Sequence, residues 1–152
     1  MFALLVLAAW PASGGTGLVP VERLRPDMPV FSQQSGIDEP ENIVLRDEEG
    51  WAKAWQRIQS RSRPVPPAPP VDFEREMIVV AALGRQRSGG YTIRIDRAYR
   101  EGPATVVIVY AESPGEGCIV TNALTSPVDI ARLPLSAEPV EIRVETTSRD
   151  CK

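Results

Sequence analysis

The spacing of apolar positions predicts one helix among several shorter segments of this chain. From Asp47, the stretch "DEEGWAKAWQRIQSR" places Trp51, Trp55 and Ile58 at i, i+4 and i+7, which is the spacing of one apolar helix face. The Asp47 carboxylate is placed to accept hydrogen bonds from first-turn amides, as an N-cap residue does. The helix is expected to end before Pro64, because proline does not continue a helix.

The two tryptophans on that face permit two interpretations. Exposed indole rings can form a platform for a sugar or another ligand, but at this spacing we expect a ridge that packs the helix on a sheet. After the helix, "PVPPAPPVDF" has five prolines between Pro64 and Pro70. This composition predicts an extended strap that returns the chain to the sheet, rather than a ligand for a signalling module.

Two of the remaining segments are apolar at nearly every position, which is typical of strands covered on both faces. They are "EMIVVAALG" and "ATVVIVYAE". Two others, "YTIRIDRAY" and "PVEIRVE", alternate between apolar and polar residues and predict half-exposed strands. In the last of these, Val140, Ile142 and Val144 are expected to face inward.

Weaker apolar segments complete the set of candidate strands. They are "PVFSQQSGI", "NIVLR", "CIVTNAL" and "PVDIARL". Together the segments predict one α+β domain, a mostly antiparallel β-sheet of five to seven strands with one packed α-helix.

The N-terminal part of the chain differs from the rest. Residues 1–15 form an apolar run followed by small residues, which is the outline of a signal peptide, with an apolar strand as the alternative. The run is shorter than the roughly 20 residues of a membrane span, so no stable span is expected after its removal. We expect residues 16–29 to be a flexible segment and residues 30–152 to be the domain.

Composition narrows the classes of function. The chain has 152 residues, no histidine and a formal net charge of −3. The absence of histidine excludes His-based acid–base catalysis and Ser-His or Cys-His nucleophilic pairs, and it makes most zinc sites impossible. The net negative charge provides no general attraction to nucleic acid or anionic membranes. We expect a protein that is not an enzyme and has no metal, cofactor or nucleic-acid partner.

Carboxylates are the remaining candidates for chemistry. Asp38, Glu39 and Glu41 cluster in "DEPE", but without the alternating spacing of a calcium loop. We expect a solvated acidic face there. An envelope glycan hydrolase built on paired carboxylates stays as a weaker alternative, because no pair stands out.

Cys118 and Cys151 are the two cysteines of the chain. In an exported protein such a pair predicts a disulfide, here one that ties the C-terminal tail to the "SPGEGC" loop. Two free thiols are the alternative. The chain has no cysteine before Cys118, so a lipid anchor, which requires an N-terminal cysteine, is not expected.

The stretch "GRQRSGGY", Gly84–Tyr91, is the best candidate for a binding site. Its glycines permit close backbone approach, and Arg85 and Arg87 offer planar donors to carboxylates or phosphates. It is not a P-loop, since the Gly-Lys-Ser/Thr ending is missing. One interpretation is a bulged hairpin with solvated arginines. The other is a partner-binding loop made of Arg85, Arg87, Ser88, Gly89, Gly90 and Tyr91.

The order of several motifs along the chain, from about Val30 to Glu145, resembles that of the protease complex subunit PrcB family. The most specific are Gly84 and Ser88-Gly89-Gly90-Tyr91, supported by Pro114, Cys118 and Ser126-Pro127. The resemblance implies a cell-envelope accessory domain that assembles with a secreted serine protease and brings no catalytic residues of its own. The expected location is therefore extracytoplasmic, periplasmic or secreted, and the expected partner is an envelope or secreted protein such as a protease.

A second, local resemblance concerns the loop alone. Cysteine-protease inhibitors of the chagasin type insert a Thr-Gly-Tyr loop into an active-site cleft, and Ser88 to Tyr91 is similar to it. The helix and the proline strap have no counterpart in those inhibitors. A protease inhibitor acting through the Gly84–Tyr91 loop is therefore the alternative function.

Overall fold

The computed structural model describes residues 17–24 and 33–152. These residues form helix α1, Glu48–Ile58, and eight strands. The strands are β1 (Leu18–Val19), β2 (Glu22–Arg23), β3 (Glu41–Leu45), β4 (Glu76–Ala82), β5 (Thr92–Glu101), β6 (Ala104–Pro114), β7 (Val128–Pro134) and β8 (Val140–Arg149).

The strands form two sheets of four. The outer sheet has the order β1-β5-β6-β8 and the middle sheet the order β2-β7-β4-β3. Neighbouring strands are antiparallel except β6 and β8, which are parallel. The predicted α+β class with a packed helix is confirmed. The prediction of a sheet of five to seven strands is wrong, because the described residues form eight strands divided between two sheets, of which the outer sheet is mixed and the middle sheet is antiparallel.

Three layers bury the apolar residues in two cores. Along β4, Ile78, Val80 and Ala82 face α1, whereas Met77, Val79 and Ala81 face the outer sheet. The middle sheet is thus covered on both faces, which explains why β4 is apolar at every position after Glu76.

Helix α1 packs its predicted apolar face on the middle sheet. The Asp47 carboxylate accepts a hydrogen bond from the Gly50 amide at 2.7 Å, so Asp47 is the N-cap. Trp51 and Trp55 are each 3% exposed. The prediction that they pack the helix on the sheet is therefore confirmed, and the alternative of an exposed ligand platform is wrong.

The proline strap packs beside the helix and satisfies both indoles. Trp51 Nε1 donates to the carbonyl of Pro69 at 3.0 Å, and Trp55 Nε1 donates to the carbonyl of Pro66 at 2.8 Å. A buried indole N–H needs such an acceptor, and the strap supplies it without a side chain. Its prolines therefore present carbonyls to the core in an extended backbone.

A buried carboxylate joins the two sheets. Strand β5 has a β-bulge between Ile95 and Arg97. The Ile95 amide donates to Asp129 Oδ2 of β7 at 2.8 Å, and Arg23 of β2 donates to both carboxylate oxygens at 2.8 and 3.0 Å. Asp129 is 5% exposed, so Arg23 supplies the charge that a buried carboxylate requires.

Residues 17–24 lie within the segment that we expected to be flexible. They include β1, which pairs with β5, and β2, which pairs with β7. This part of the segment therefore belongs to both sheets. The expected signal peptide, residues 1–15, lies outside the described residues.

Three local strand predictions need correction. "CIVTNAL" forms no strand; residues 118–124 are loop. Within "PVFSQQSGI", the described residues begin at Gln33 and form no strand, only an isolated β-bridge of Gln34 with Ser126; the rest lies outside the described residues. In β8, Val140 and Ile142 pack on the inner core as predicted, but Val144 is 43% exposed because β8 is an edge strand.

The outward face of the outer sheet is covered by charged and aromatic side chains. Tyr110 accepts a hydrogen bond from Arg97 at 2.8 Å, and Arg143 donates to Tyr99 and Glu101. These long side chains lie across the centre of the face, which keeps Ile108 3% exposed without a further layer of backbone.

We expect Trp55→Ala to lower the free energy of unfolding by about 3–5 kcal/mol, because it removes a buried indole and leaves a cavity. Chemical denaturation measures the loss. The control is Ile119→Ala, at a fully exposed site, with an expected change within about 0.5 kcal/mol. A loss below about 1 kcal/mol for Trp55→Ala would contradict the core assignment.

Candidate functional site

The Gly84–Tyr91 loop connects β4 of the middle sheet to β5 of the outer sheet. The two strands are not paired, so the hairpin interpretation is wrong. The loop instead crosses from one layer to the other at one end of the domain. There it contacts two other loops, residues 38–40 and 114–125.

Gly84 sets the first of these contacts. Its φ is 71°, and an added Cβ would lie 2.7 Å from the Pro40 nitrogen and 2.8 Å from the Asp38 carbonyl oxygen. The next amide, that of Arg85, donates to the same Asp38 carbonyl at 2.8 Å. The position therefore requires glycine for both its conformation and its close backbone approach.

Arg85 is part of an ion-pair cluster around Asp38. Its Nη2 lies 2.7 Å from Asp38 Oδ2, and Arg61 binds Asp38 Oδ1. Arg61 also donates to Ser126 Oγ at 3.0 Å. The Arg85 hydrogen bond, with that of Arg61 and both positive charges, holds the pKa of Asp38 below its ordinary value. Arg85 is thus a link between loops. Asp38 is exposed, as expected of a solvated acidic face, and it is also an ion-pair site.

The middle of the loop is held by main-chain bonds to the segment before β7. Gln86 and Thr125 exchange N–H···O bonds of 2.7 and 3.1 Å. Thr125 Oγ1 donates to the Ser88 carbonyl at 2.8 Å, and the Gly89 amide donates to the Thr121 carbonyl at 2.9 Å. Bonds between backbone groups fix the loop shape independently of its side chains.

The end of the loop packs tightly. Gly90 has a φ of 90°, and a Cβ there would lie 2.7 Å from Val120 Cγ1 and 3.1 Å from Pro114 Cβ. Tyr91 follows and is half-buried. Gly90 is therefore a packing position that faces the 114–125 loop.

Among the six predicted loop residues, Arg87 is the one whose side chain is both exposed and unpaired. It makes no hydrogen bond or ion pair with any other residue in 17–24 and 33–152. The structure brings the predicted residues together in one loop, but Arg85, Ser88, Gly89 and Gly90 hold the loop in place.

The exposed apolar side chains of the neighbouring loop were not among the residues predicted for the site. Ile119 is 102% exposed and Leu124 is 58% exposed. Both lie in "CIVTNAL", whose apolar letters favoured a strand. The turn residues of "SPGEG" just before it were the available signal for a loop.

A disulfide between Cys118 and Cys151 closes the base of this loop, as predicted. Beside it, the Gly115 amide donates to the Arg149 carbonyl at 3.0 Å. The loop that carries Ile119 is therefore attached to the end of β8 by one covalent bond and one backbone bond.

A shallow groove of about 400 Å³ runs between the loops. It has hydroxyl, amide and small apolar groups along its walls and no charged side chain. The lining residues are Gln33, Gln34, Gly89, Gly90, Thr121, Ala123 and Thr125. Such a surface suits an uncharged polypeptide backbone better than a metal or a phosphate.

The described residues provide neither a metal centre nor a membrane-crossing helix. Residues 17–24 and 33–152 contain no group of three or more Cys, Asp or Glu side chains arranged to hold a metal ion. Within the same residues, no helix has the length and apolar character that a membrane crossing requires.

Comparison with known proteins supports the family resemblance. The family model described as PrcB C-terminal matches residues 77–134, from the second residue of β4 to the last residue of β7. The match includes the whole Gly84–Tyr91 loop and the loop with Cys118. The suspected resemblance to the PrcB family is thereby confirmed over this segment. No curated protein and no solved structure matches the chain.

Acid titration tests the Asp38 cluster. A carboxyl pKa that is lowered in the folded protein contributes stability above its ordinary value of 3.8, and this contribution is lost as the pH falls through the folded pKa. We expect the Asp38 carboxyl signal in NMR to titrate below 3.8.

The matched variants are Arg85→Ala, which is expected to move the Asp38 midpoint upward, and Arg63→Ala, which removes an arginine bonded to neighbouring carbonyls. Arg63→Ala is expected to leave the midpoint unchanged. Equal midpoints in the wild-type and Arg85→Ala proteins would show that the cluster does not form.

Cys118→Ser is expected to lower the melting temperature, because it opens a loop whose ends are 33 residues apart. The chain-entropy relation gives a loss of roughly 3–4 kcal/mol as an upper figure. The single variant and Cys118→Ser/Cys151→Ser are expected to lose the same stability. Two thiols that react with an alkylating reagent in the unreduced wild-type protein would refute the bridge.

Proposed function

We propose, proceeding from the match of residues 77–134 to the PrcB C-terminal family, that this chain is an exported, non-enzymatic accessory domain that binds another protein. The family description points to a protease complex, so the first candidate partner is a secreted protease or its precursor. The contact surface is the end of the domain formed by the 84–91 and 114–125 loops.

The observation that carries this proposal is a set of exposed side chains on a rigid loop framework. Ile119 is fully exposed, Leu124 is more than half exposed, and Arg87 projects without a partner among the described residues. Backbone bonds and the Cys118–Cys151 disulfide hold the loops that carry them. A preorganised surface loses little conformational entropy on binding, and arginine is one of the residues enriched among interface hot spots.

The loop residues then divide into two roles. Arg87 and Tyr91 are proposed to contact the partner, with Ile119 and Leu124 beside them. Arg85, Ser88, Gly89 and Gly90 position the loop through the bonds and packing described above. This division refines the sequence prediction, in which all six loop residues were contacts.

Two properties support an extracytoplasmic, non-enzymatic role. A disulfide between the two cysteines suits an oxidising compartment. The chain has no histidine, so the usual general base of hydrolases is missing from its composition. Export is tested by mass spectrometry of the mature protein, which gives its N-terminus.

Protease inhibition is the second candidate function of the same loop. The main-chain bonds of Gln86 and Gly89 give the loop the rigidity that a segment inserted into a cleft needs. Because Gly89 and Gly90 pack against Thr121 and Val120, the part available for insertion is the tip at Arg87. A protease panel tests this directly: inhibition at nanomolar concentrations supports it, and no inhibition at micromolar concentrations rejects it.

The main test is crosslinking in the native envelope, with a photoreactive amino acid at position 87 or 119 and mass spectrometry of the products. We expect one recurring protein, a protease or its precursor. The double variant Arg87→Ala/Ile119→Ala is expected to reduce its recovery at least about tenfold, as for loss of a hot-spot pair.

The matched control is Arg63→Ala/Val65→Ala, which removes an exposed arginine and an exposed valine from the proline strap. It is expected to leave recovery unchanged. Equal recovery with both double variants, at equal melting temperature, would reject the loop surface as the contact.

A further inference from the structure

Strand β8 leaves one long edge of the outer sheet open. It has ten residues, Val140–Arg149, and it stands at the end of the strand order, so among the described residues no strand pairs its other side. The other edge strands are shorter: β1 and β2 have two residues each, and β3 has five. A long open edge is a template for pairing with another strand.

The hydrogen bonds of β8 show which of its backbone groups face the open edge. The carbonyls of Pro139, Thr147 and Arg149 face β6, since they accept from Thr105, Ser113 and Gly115 at 2.9, 3.4 and 3.0 Å. Successive residues of a strand alternate in direction, so the even-numbered residues from 140 to 148 direct their N–H and C=O groups outward. Those groups require an acceptor or donor from water or from another strand.

We propose that β8 pairs with β8 of a second copy of this chain, antiparallel about a two-fold axis at Val144. In this register Val144 lies opposite its own symmetry mate, and Ile142 lies opposite Thr146. Every pair that exchanges backbone hydrogen bonds is then formed by even-numbered residues, as the open edge requires. The result is a continuous sheet of eight strands across the two copies.

Charge and the length of strand overlap together select this register among those that the backbone allows. With Val144 on the axis, Arg143 of each copy lies opposite Glu145 of the other, in a pair with closely spaced side chains. A shift of one residue places the axis at Arg143 or Glu145, which puts like charges opposite each other. An axis at Ile142 would place Arg143 opposite Glu141, but it would pair only residues 140–144 of each strand, compared with residues 140–148 for the axis at Val144. A guanidinium has five N–H groups, and Arg143 donates three of them to Glu141, Tyr99 and Glu101 within its own chain. Two N–H groups therefore stay available for Glu145 of the second copy.

The apolar side of the strand favours the same arrangement. Val140 and Ile142 already pack in the core between the sheets, whereas Val144 on that side is 43% exposed. Pairing at the two-fold axis places the two Val144 side chains against each other and removes apolar surface from water.

The dimer would place its two partner-binding ends far apart. Five residues separate Val144 from Arg149, so the two Arg149 Cα atoms would be about 33 Å apart, on opposite sides of the axis. Since Gly115 is bonded to Arg149, each 114–125 loop lies at one of these ends. This bivalency rests on the proposed function, whereas the dimer itself does not.

Sedimentation equilibrium of the full chain, from micromolar to millimolar concentration, tests the proposal. We expect a reversible monomer–dimer equilibrium. Glu145→Arg is expected to weaken it about tenfold or more, because two attractive cross-strand pairs become repulsive. The control Glu74→Arg makes the same charge change at an exposed turn residue and is expected to have no effect.

Charge exchange gives the sharpest result. Arg143→Glu and Glu145→Arg proteins are each expected to be monomeric alone and to form a one-to-one heterodimer when mixed. If Arg143→Glu does not fold, because it loses its bonds to Tyr99 and Glu101, Val144→Pro tests the paired edge without a change of charge. That proline removes only an outward N–H, so the fold is expected to persist without the dimer.

A wild-type monomer at every concentration would overturn the proposal and leave the edge to an extended segment of another protein. A dimer that Glu145→Arg does not weaken would overturn it as well, since another surface would then join the copies. Neither result changes the expected loss of partner crosslinking in Arg87→Ala/Ile119→Ala, so the two proposals fail separately.

Discussion

The middle sheet must be covered on both faces, and most other features of the molecule serve that requirement. Strand β4 has apolar side chains on both sides and no exposed residue. Helix α1 covers one face with its two tryptophans, and the proline strap supplies the carbonyls that the buried indoles need. The outer sheet covers the other face. Without either layer, a continuous apolar strand would be exposed to water. The free energy of this exposure is about 25 cal/mol for each Å² of apolar surface.

The two sheets are joined by a polar contact as well as by apolar packing. The bulge in β5 directs the Ile95 amide at Asp129 of β7, and Arg23 from β2 neutralises that carboxylate. The contact is specific, because a buried carboxylate tolerates only a narrow set of partners. It joins β5, which follows the Gly84–Tyr91 loop, to β7, which follows the 114–125 loop.

At the candidate site, rigidity and exposure come from different residues. Arg85 and the glycines of "GRQRSGGY" mainly attach the loop to its neighbours. The partners of the loop are Asp38, Thr121 and Thr125. The exposed groups are Arg87 and the apolar Ile119 and Leu124. A surface of this kind is suited to binding a protein, because its shape is set before the partner arrives. The open edge of β8 adds a second surface, and the two are linked through the Cys118–Cys151 disulfide at the end of that strand.

Local patterns in the sequence determined the helix with its Asp47 cap, the buried strands β4 and β6, the alternating strand β5, the disulfide and the resemblance to the PrcB family. Each depends on nearby residues or on a cysteine count of two. Only the tertiary structure decided that the strands divide into two sheets, because a strand that is apolar on both faces does not say which elements cover it. For the same reason "CIVTNAL" was wrongly predicted as a strand. Its apolar residues are compatible with a strand, but the disulfide and the contacts with Gly89 and Gly90, which come from distant parts of the chain, hold it as a loop. Arg85 and Arg87 look equivalent in the sequence, and the position of Asp38, 47 residues before Arg85, makes one a structural link and leaves the other exposed.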